Sequence, residues 1–486
     1  MKITAQQLDR AVGAVVGSAV GDALGAPYEF GPSHPDDFIP QFGPGKGGEQ
    51  PGGWTDDTAM AIAILDTLAA GLDVDSDPGI QAVIDRWYQW ADEDGRGIGI
   101  QTIQVMMGGA REDRTERGLL RSSEAIHTRT GRSGGNGSLM RIGPLALGYL
   151  APESERALQS AAERVTRVTH WESDNGAAVT IWALMIRRAI LTGKLDDRGV
   201  TDLVADGAGR HSRWFRLIDE ARAATHPREF SDGNGWVVKA FQAALIAVEG
   251  ATDFRDAIYR AVRGGRDTDT VAAIAGALAG AKWGASQIPL SWQRHIHGWP
   301  GYNANDLARL AILAARRGAS DSAGWPAGDS VLNPHFRHTD AVRHPFDDGV
   351  WLGSQSALSK LPSSVSAVVS LGRLGASEVP AGIESIRVWL IDTPGENLNL
   401  DATLADATDV IAELRAEGKE VFVHCAEARS RTSAVAALYA ARHRGVPLDA
   451  AWRALDGRHG NGALPHYDPA PFLQDAVARI VAAGKD

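Results

Sequence analysis

Gly52-Gly53-Trp54-Thr55-Asp56-Asp57-Thr58-Ala59-Met60 and, far downstream, Gly264-Gly265-Arg266-Asp267-Thr268-Asp269-Thr270 follow one order: a glycine pair, a cluster of side-chain oxygens, then an apolar run. Each reads as a loop feeding a helix, with Ala59 to Leu65 and Val271 to Leu278 as the helical runs. Thr and Asp at a helix start accept first-turn N–H groups, so capping explains either cluster taken alone. It does not explain the pair. Asp56, Asp57, Asp267 and Asp269 would repel one another strongly if brought together. A hard divalent cation removes that repulsion, and carboxylate and hydroxyl donors with no Cys or His motif nearby suit magnesium or manganese rather than zinc. The two helix starts are therefore expected to meet at a two-metal centre.

A chain of 486 residues exceeds the size at which a single core stops growing, so two or more domains are expected, and 44% hydrophobic content supports globular folding. A net charge of -11 argues against a nonspecific nucleic-acid or anionic-membrane surface. No basic, aromatic-interleaved stretch offers a nucleic-acid track. The single cysteine, Cys425, excludes an internal disulfide framework and points to an intracellular, cytoplasmic protein. Residues 11–21 are mildly apolar, but Asp9, Arg10 and Asp22 bracket them, which is unlike a signal peptide. No uncharged stretch reaches membrane-spanning length, so a soluble protein is expected.

Helical spacing of apolar residues runs from Leu8 to Leu24 and stops before Pro27; Glu29 follows in a loop. The same period recurs over Gln81 to Ala91, Glu155 to Val168, Ala177 to Leu191 and Phe254 to Arg263, while no alternating strand pattern precedes residue 340. The first domain reads as all-α. The chain's 55 glycines exceed the usual share of ~7%, and pairs beside the polar clusters imply close backbone approach. Ser133-Gly134-Gly135-Asn136-Gly137-Ser138-Leu139-Met140-Arg141 is either a phosphate cradle or an ordinary Asn-Gly turn. His170 is either a hydrogen-bonded structural residue or a ligand group.

Gly21-Asp22-Ala23-Leu24-Gly25-Ala26 with Glu29, Thr55-Asp56-Asp57-Thr58, Gly135-Asn136-Gly137 with Met140-Arg141, Thr169-His170 and Asp267-Thr268-Asp269-Thr270 together resemble the ADP-ribosylglycohydrolases, over residues 1–315. The resemblance implies an all-α fold with two magnesium or manganese ions that cleaves ADP-ribose from an acceptor. By the same resemblance the metal ligands are Thr55, Asp56, Asp57, Asp267, Asp269 and Thr270. Glu29 would lie beside the metals and the scissile bond, Gly135, Asn136, Gly137 and Ser138 would hold the pyrophosphate, and His170 would line the substrate pocket.

From Arg316 to Asp348 the helical pattern yields to Gly, Ser, Asp and Pro, read as a linker. Short apolar runs at Val350 to Leu352, Val365 to Leu371, Ile386 to Ile391 and Val421 to Val423 then alternate with helical segments such as Leu404 to Arg415, which argues α/β. The last run enters His424-Cys425-Ala426-Glu427-Ala428-Arg429-Ser430-Arg431-Thr432, ahead of the helical stretch Ser433 to Arg442. A lone Cys is usually a small buried hydrophobe, but a strand-to-helix loop and an arginine after five intervening residues suit a thiolate nucleophile facing a phosphoryl group.

That loop resembles the signature of the cysteine-dependent phosphatases, and Trp351-Leu352-Gly353-Ser354 resembles the start of a dual-specificity phosphatase domain, over residues 341–486. The resemblance implies Cys425 as nucleophile, Arg431 as phosphate grip, Asp392 as general acid and Thr432 as the hydroxyl assisting release of the phosphocysteine. Ala428 departs from the usual Gly, and Glu427 adds negative charge beside the loop.

The expected organisation is multidomain: an all-α ADP-ribosylglycohydrolase-like domain at 1–318, a linker at 319–340 and an α/β phosphatase-like domain at 341–486. The expected substrates are an ADP-ribosylated acceptor and a phosphomonoester. A module that reads ADP-ribose or phosphate without turnover is the alternative. The sequence leaves the acceptor, whether arginine, serine, nucleic acid or a small molecule, open.

Overall fold

The computed structural model describes residues 3–195, 213–460 and 462–484. Two compact units emerge: Met1–Ile288 with His295–Ala319, and Pro289–Arg294 with Ser320–Asp486. Among the described residues no helix is long and apolar enough to cross a membrane.

The first unit is built on a central helix pair, Ala5–Gly25 and Thr268–Trp283. Thr4 opens the first helix with a capping box shared with Gln7. Its glycines recur every fourth residue at Gly13, Gly17, Gly21 and Gly25, which places them on one face. That face meets Gly276 and Gly280 so closely that a methyl group added at Gly280 would lie 1.9 Å from the Gly13 carbonyl oxygen, and one at Gly17 2.5 Å from the Gly276 oxygen. Backbone thus packs directly on backbone, and the same seam carries Gly25 against the Cα of Asp269. Gly280→Ala is expected to destabilise the first unit by about 3 kcal/mol, the upper end for overpacking, because two backbones rather than a flexible side chain must separate. Chemical denaturation checks this.

The expected helices form as Asp77–Glu93, Glu155–Arg167, Ser173–Thr192 and Phe254–Arg263 around this pair. One correction applies before residue 340: His297–Gly298 (β1) and Tyr302–Asn303 (β2) form an antiparallel pair. Two residues per strand leave no alternation for a periodicity argument to detect.

In the second unit five strands, Val342–His344 (β3), Asp347–Ser354 (β4), Val365–Ser370 (β5), Glu384–Arg387 (β6) and Glu420–Cys425 (β7), lie in the order β3-β4-β7-β5-β6. All pairings are parallel except the edge pair β3–β4. Leu400–Ala416 and Arg431–His443 are the principal helices. The apolar run expected at Ile386 to Ile391 is strand only to Arg387; beyond it Val388 still bonds to Ser370 before the chain turns away. Central β7 has Val421, Phe422 and Val423 buried, and ends at Cys425. In such sheets the carboxyl ends of the central strands are where ligands bind.

Candidate active sites

In the first unit, Thr55 caps the helix Asp56–Ala69, its hydroxyl oxygen accepting from Asp57 N–H. The hydroxyl also lies 2.9 Å from Asp22 Oδ1 and 3.0 Å from Asp57 Oδ2, either of which can take its proton. Asp22, inside the Ala5–Gly25 helix and fully buried, accepts from the backbone N–H of Thr55 and Thr58, each at 3.0 Å, and from the Thr58 hydroxyl at 2.6 Å. It therefore caps a second helix from within the first.

Carboxylate oxygens of Asp22, Asp57 and Asp269 all lie within 4.8 Å of one another, as do those of Glu29, Asp267 and Asp269. The two sets share Asp269, so they describe adjacent centres. Thr270 extends its hydroxyl to Asp57 Oδ2 at 3.5 Å. Asp267 precedes the helix beginning at Thr268 and accepts from Asn136 Nδ2 at 2.7 Å. Asp56 is buried under Gly97, where an added methyl would lie 2.9 Å from its Oδ1; it falls in neither set.

These carboxyls carry a common electrostatic signature. Burial pushes Asp22 up to about 6, and burial followed by the charges of Asp267, Glu49 and Asp22 pushes Glu29 up to about 7. Burial, then neighbouring carboxylates, holds Asp56, Asp57 and Asp269 well above the usual range. Burial also raises Asp267, against hydrogen bonds from Asn136 and Thr270. Among the described residues none of the six makes an ion pair, and Asp57 Oδ1 is buried without a hydrogen-bond partner. Hard oxygen donors with uncompensated negative charge and an orphaned oxygen fit divalent cations.

The glycine loop sits beside this cluster. Asn136 N–H bonds to Gly235 O and Val237 N–H to Gly134 O, and Asn136–Ser138 form a short 3-10 turn. Asn175 Nδ2 secures the loop through Gly135 O at 2.7 Å and Ser138 Oγ at 2.8 Å. His170 is 2% exposed and its ring faces Gly135 and Gly137. Thus Glu29, Thr55, Asp57, Asp267, Asp269 and Thr270 come together, with Asn136 joining the loop to Asp267. Sequence reasoning gave Asp22 no role, although a carboxylate directly after the apolar stretch 11–21 was a signal. Asn175 carried none, nor did Asn234, whose side-chain oxygen accepts from Asp267 N–H at 3.3 Å.

In the second unit Cys425 is buried at the end of β7. Burial opposes its ionisation, but the Arg431 guanidinium, the Thr432 hydroxyl and the N–H groups of Thr432 and Glu427 more than offset this and bring the thiol below its ordinary value. Arg431 Nη1 donates to Leu371 O at 2.7 Å and Leu390 O at 3.2 Å, while Nε lies 3.7 Å from Asp392 Oδ2. Ser430 donates to Asp392 Oδ1 at 2.8 Å and accepts from Ala470 N–H, which ties Asp392 to the loop. His424 Nε2 lies 2.8 Å from Ser370 Oγ; its pKa is pushed down to about 4, by burial first. The Glu427 carboxylate accepts from Arg337 N–H at 2.9 Å, so it is engaged by the backbone of another segment.

Ala428 adopts φ 56°, the left-handed region that favours glycine. Ala428→Gly is expected to stabilise the second unit by about 1 kcal/mol through relief of that conformation, read as a rise in denaturation midpoint.

The model of the family described as ADP-ribosylglycohydrolase matches residues 3–322. An ADP-ribosylarginine hydrolase, Tri1 of Pseudomonas putida (strain GB-1), is 31% identical over 301 residues, covering 60% of this chain and 76% of that protein. Human ADP-ribosylhydrolase ARH3 is 27% identical over 361 residues, covering 63% and 94% respectively. The solved structure of human DUSP28 is 24% identical and covers 30% of this chain and 95% of that one, at a TM-score of 0.27.

Proposed function

The chain belongs to the ADP-ribosylglycohydrolase family, and from that premise we propose that its first unit releases ADP-ribose from a modified acceptor by metal-assisted hydrolysis, while its second unit hydrolyses a phosphomonoester through Cys425. The observation carrying the first part is the meeting of five carboxyls, Asp22, Asp57 and Asp269 buried and Glu29 and Asp267 half-buried, from a helix interior, a loop and two helix starts, without a cationic partner among the described residues. Thr55, Asp56, Asp57, Asp267, Asp269 and Thr270 would hold two magnesium or manganese ions. Such ions supply charge neutralisation and Lewis acidity toward hydroxyl and water oxygens.

The protein groups then have separate tasks. Gly135, Gly137 and Ser138 offer backbone N–H groups to the pyrophosphate, the Asn136 N–H being held by Gly235 O, and His170 closes that wall. Glu29 positions the attacking water and accepts its proton. As the anomeric carbon gains oxocarbenium character, the surrounding carboxylates stabilise its positive charge, and the acceptor departs with its own group restored. Because the relative at 31% identity is named for ADP-ribosylarginine, arginine is the first acceptor to test.

Glu29→Gln is expected to retain metal and slow turnover about 10²-fold, since an amide keeps the shape but cannot take the proton. Saturating kinetics with a parallel metal titration reads both. Mass-spectrometric detection of ADP-ribose released from arginine-, serine- and nucleic-acid-linked substrates tests the activity. Binding of ADP-ribose without release from any of them would make the first unit a reader.

A further inference from the structure

Arg141 is fully buried, yet no carboxylate pairs with it among the described residues. Its guanidinium lies 4.1 Å from the Trp87 ring centre, and Nη2 donates to Val165 O at 3.0 Å and Thr169 Oγ1 at 2.7 Å. Burial pushes its pKa down to about 9, which leaves it charged at neutral pH. A buried cation spent on a threonine hydroxyl requires a reason.

The reason lies in donor arithmetic. Guanidinium only donates, so Thr169 Oγ1 must accept from Arg141. The hydroxyl's single proton then has two destinations: His170 Nδ1 at 2.8 Å, or Thr166 O at 3.5 Å. The second is at the limit of a hydrogen bond and the first is well within it. Nδ1 therefore accepts, and the imidazole proton resides on Nε2. Burial, reinforced by Arg141, holds His170 well below the usual imidazole range, so the ring is neutral and has one N–H to place.

That N–H faces the glycine loop. A methyl group added at Gly137 would sit 3.3 Å from Nε2, and one at Gly135 3.5 Å from it. Among the described residues the one side-chain hydrogen bond of the ring is the one at Nδ1. We infer that Arg141 and Thr169 form a positioning relay that fixes His170 as the Nε2–H tautomer, presenting a neutral donor to a phosphate oxygen of ADP-ribose on the glycine loop. The ligand half of this inference rests on the reading of Gly135 to Ser138 as the pyrophosphate cradle; the relay does not.

The test uses the full chain with ¹⁵N-labelled histidine rings. Long-range proton–nitrogen NMR distinguishes the tautomers, and His170→Gln identifies the His170 signals. Wild type and Thr169→Ser, which keeps the hydroxyl, are expected to show Nε2–H. Thr169→Val, which keeps the shape and loses the hydroxyl, is expected to shift toward Nδ1–H and to bind ADP-ribose about 10-fold more weakly by calorimetry. Thr169→Ser should bind within about 2-fold of wild type. Nδ1–H in the wild type, or an unchanged tautomer in Thr169→Val, overturns the relay. A shifted tautomer with unchanged affinity overturns the contact to phosphate. An Nε2–H wild type that binds no ADP-ribose supports the relay and overturns the functional reading.

Discussion

Asp269→Asn is expected to lower ADP-ribose release by about 10³-fold or more and, in the same protein, to raise the thermal stability of the metal-free chain. The loss follows from position: Asp269 is common to both carboxylate sets, so its removal weakens both candidate metal positions. Several kcal/mol of transition-state stabilisation rest on such a site, and each 1.36 kcal/mol is tenfold in rate. The gain follows from sign. Burial and the charges of Asp57, Asp267 and Glu29 raise Asp269 well above an ordinary carboxylate, so the folded state holds protons that the unfolded state has released. Metal-free stability therefore falls as pH rises above about 4, the unfolded carboxylate value, toward the raised folded value. An amide lacks the charge and removes part of that decline. Magnesium or manganese should raise the melting temperature of the wild type, more at pH 8 than at pH 5, and should do so much less in Asp269→Asn. Thermal melts at both pH values with and without metal, beside ADP-ribose release, check each part. A wild type whose melting is indifferent to both ions would remove the metal centre from the account.

Cys425→Ser is expected to abolish phosphate release from aryl, peptide, lipid or nucleotide monoesters, a loss on the order of 10⁵-fold or more for a nucleophile acting with its supporting groups. ADP-ribose release should be unchanged, because that chemistry uses none of the groups at Cys425. The thiol is poised by Arg431, the Thr432 hydroxyl and two backbone N–H groups against the cost of burial. Activity should therefore rise with pH through a value below that of a free thiol. Asp392, held 2.8 Å from Ser430 Oγ, would return a proton to the leaving oxygen; Asp392→Asn should cost about 10²-fold and flatten the descending side of the pH profile. Phosphate release by the full chain across pH, with vanadate as the phosphate mimic, decides between readings. Vanadate binding that requires Arg431, without turnover on any ester, would leave the second unit a phosphate reader.

The amino-acid sequence alone shows the helical character of the first unit and the alternating character of the second, because apolar period is local. Glu155–Arg167 is legible from its own residues, as is the β7-to-helix loop around Cys425. It also singled out Asp56, Asp57, Asp267 and Asp269, since four carboxylates after matched glycine pairs exceed what capping requires. Their arrangement depends on the packing of distant segments. Glu29 looked like a loop carboxylate until the fold brought it within 4.8 Å of Asp267 and Asp269. Asp22 is one of several polar positions in its helix, and its role depends on Thr55 and Thr58 arriving from another segment. The glycines at 13, 17, 21 and 25 acquire their purpose only from Gly276 and Gly280, which lie too far along the chain for any local pattern to connect. Secondary structure is set by neighbours in sequence. A buried charge cluster is set by which backbones can touch, and here glycine seams allow two helices the close contact that brings Asp22 and Asp269 together.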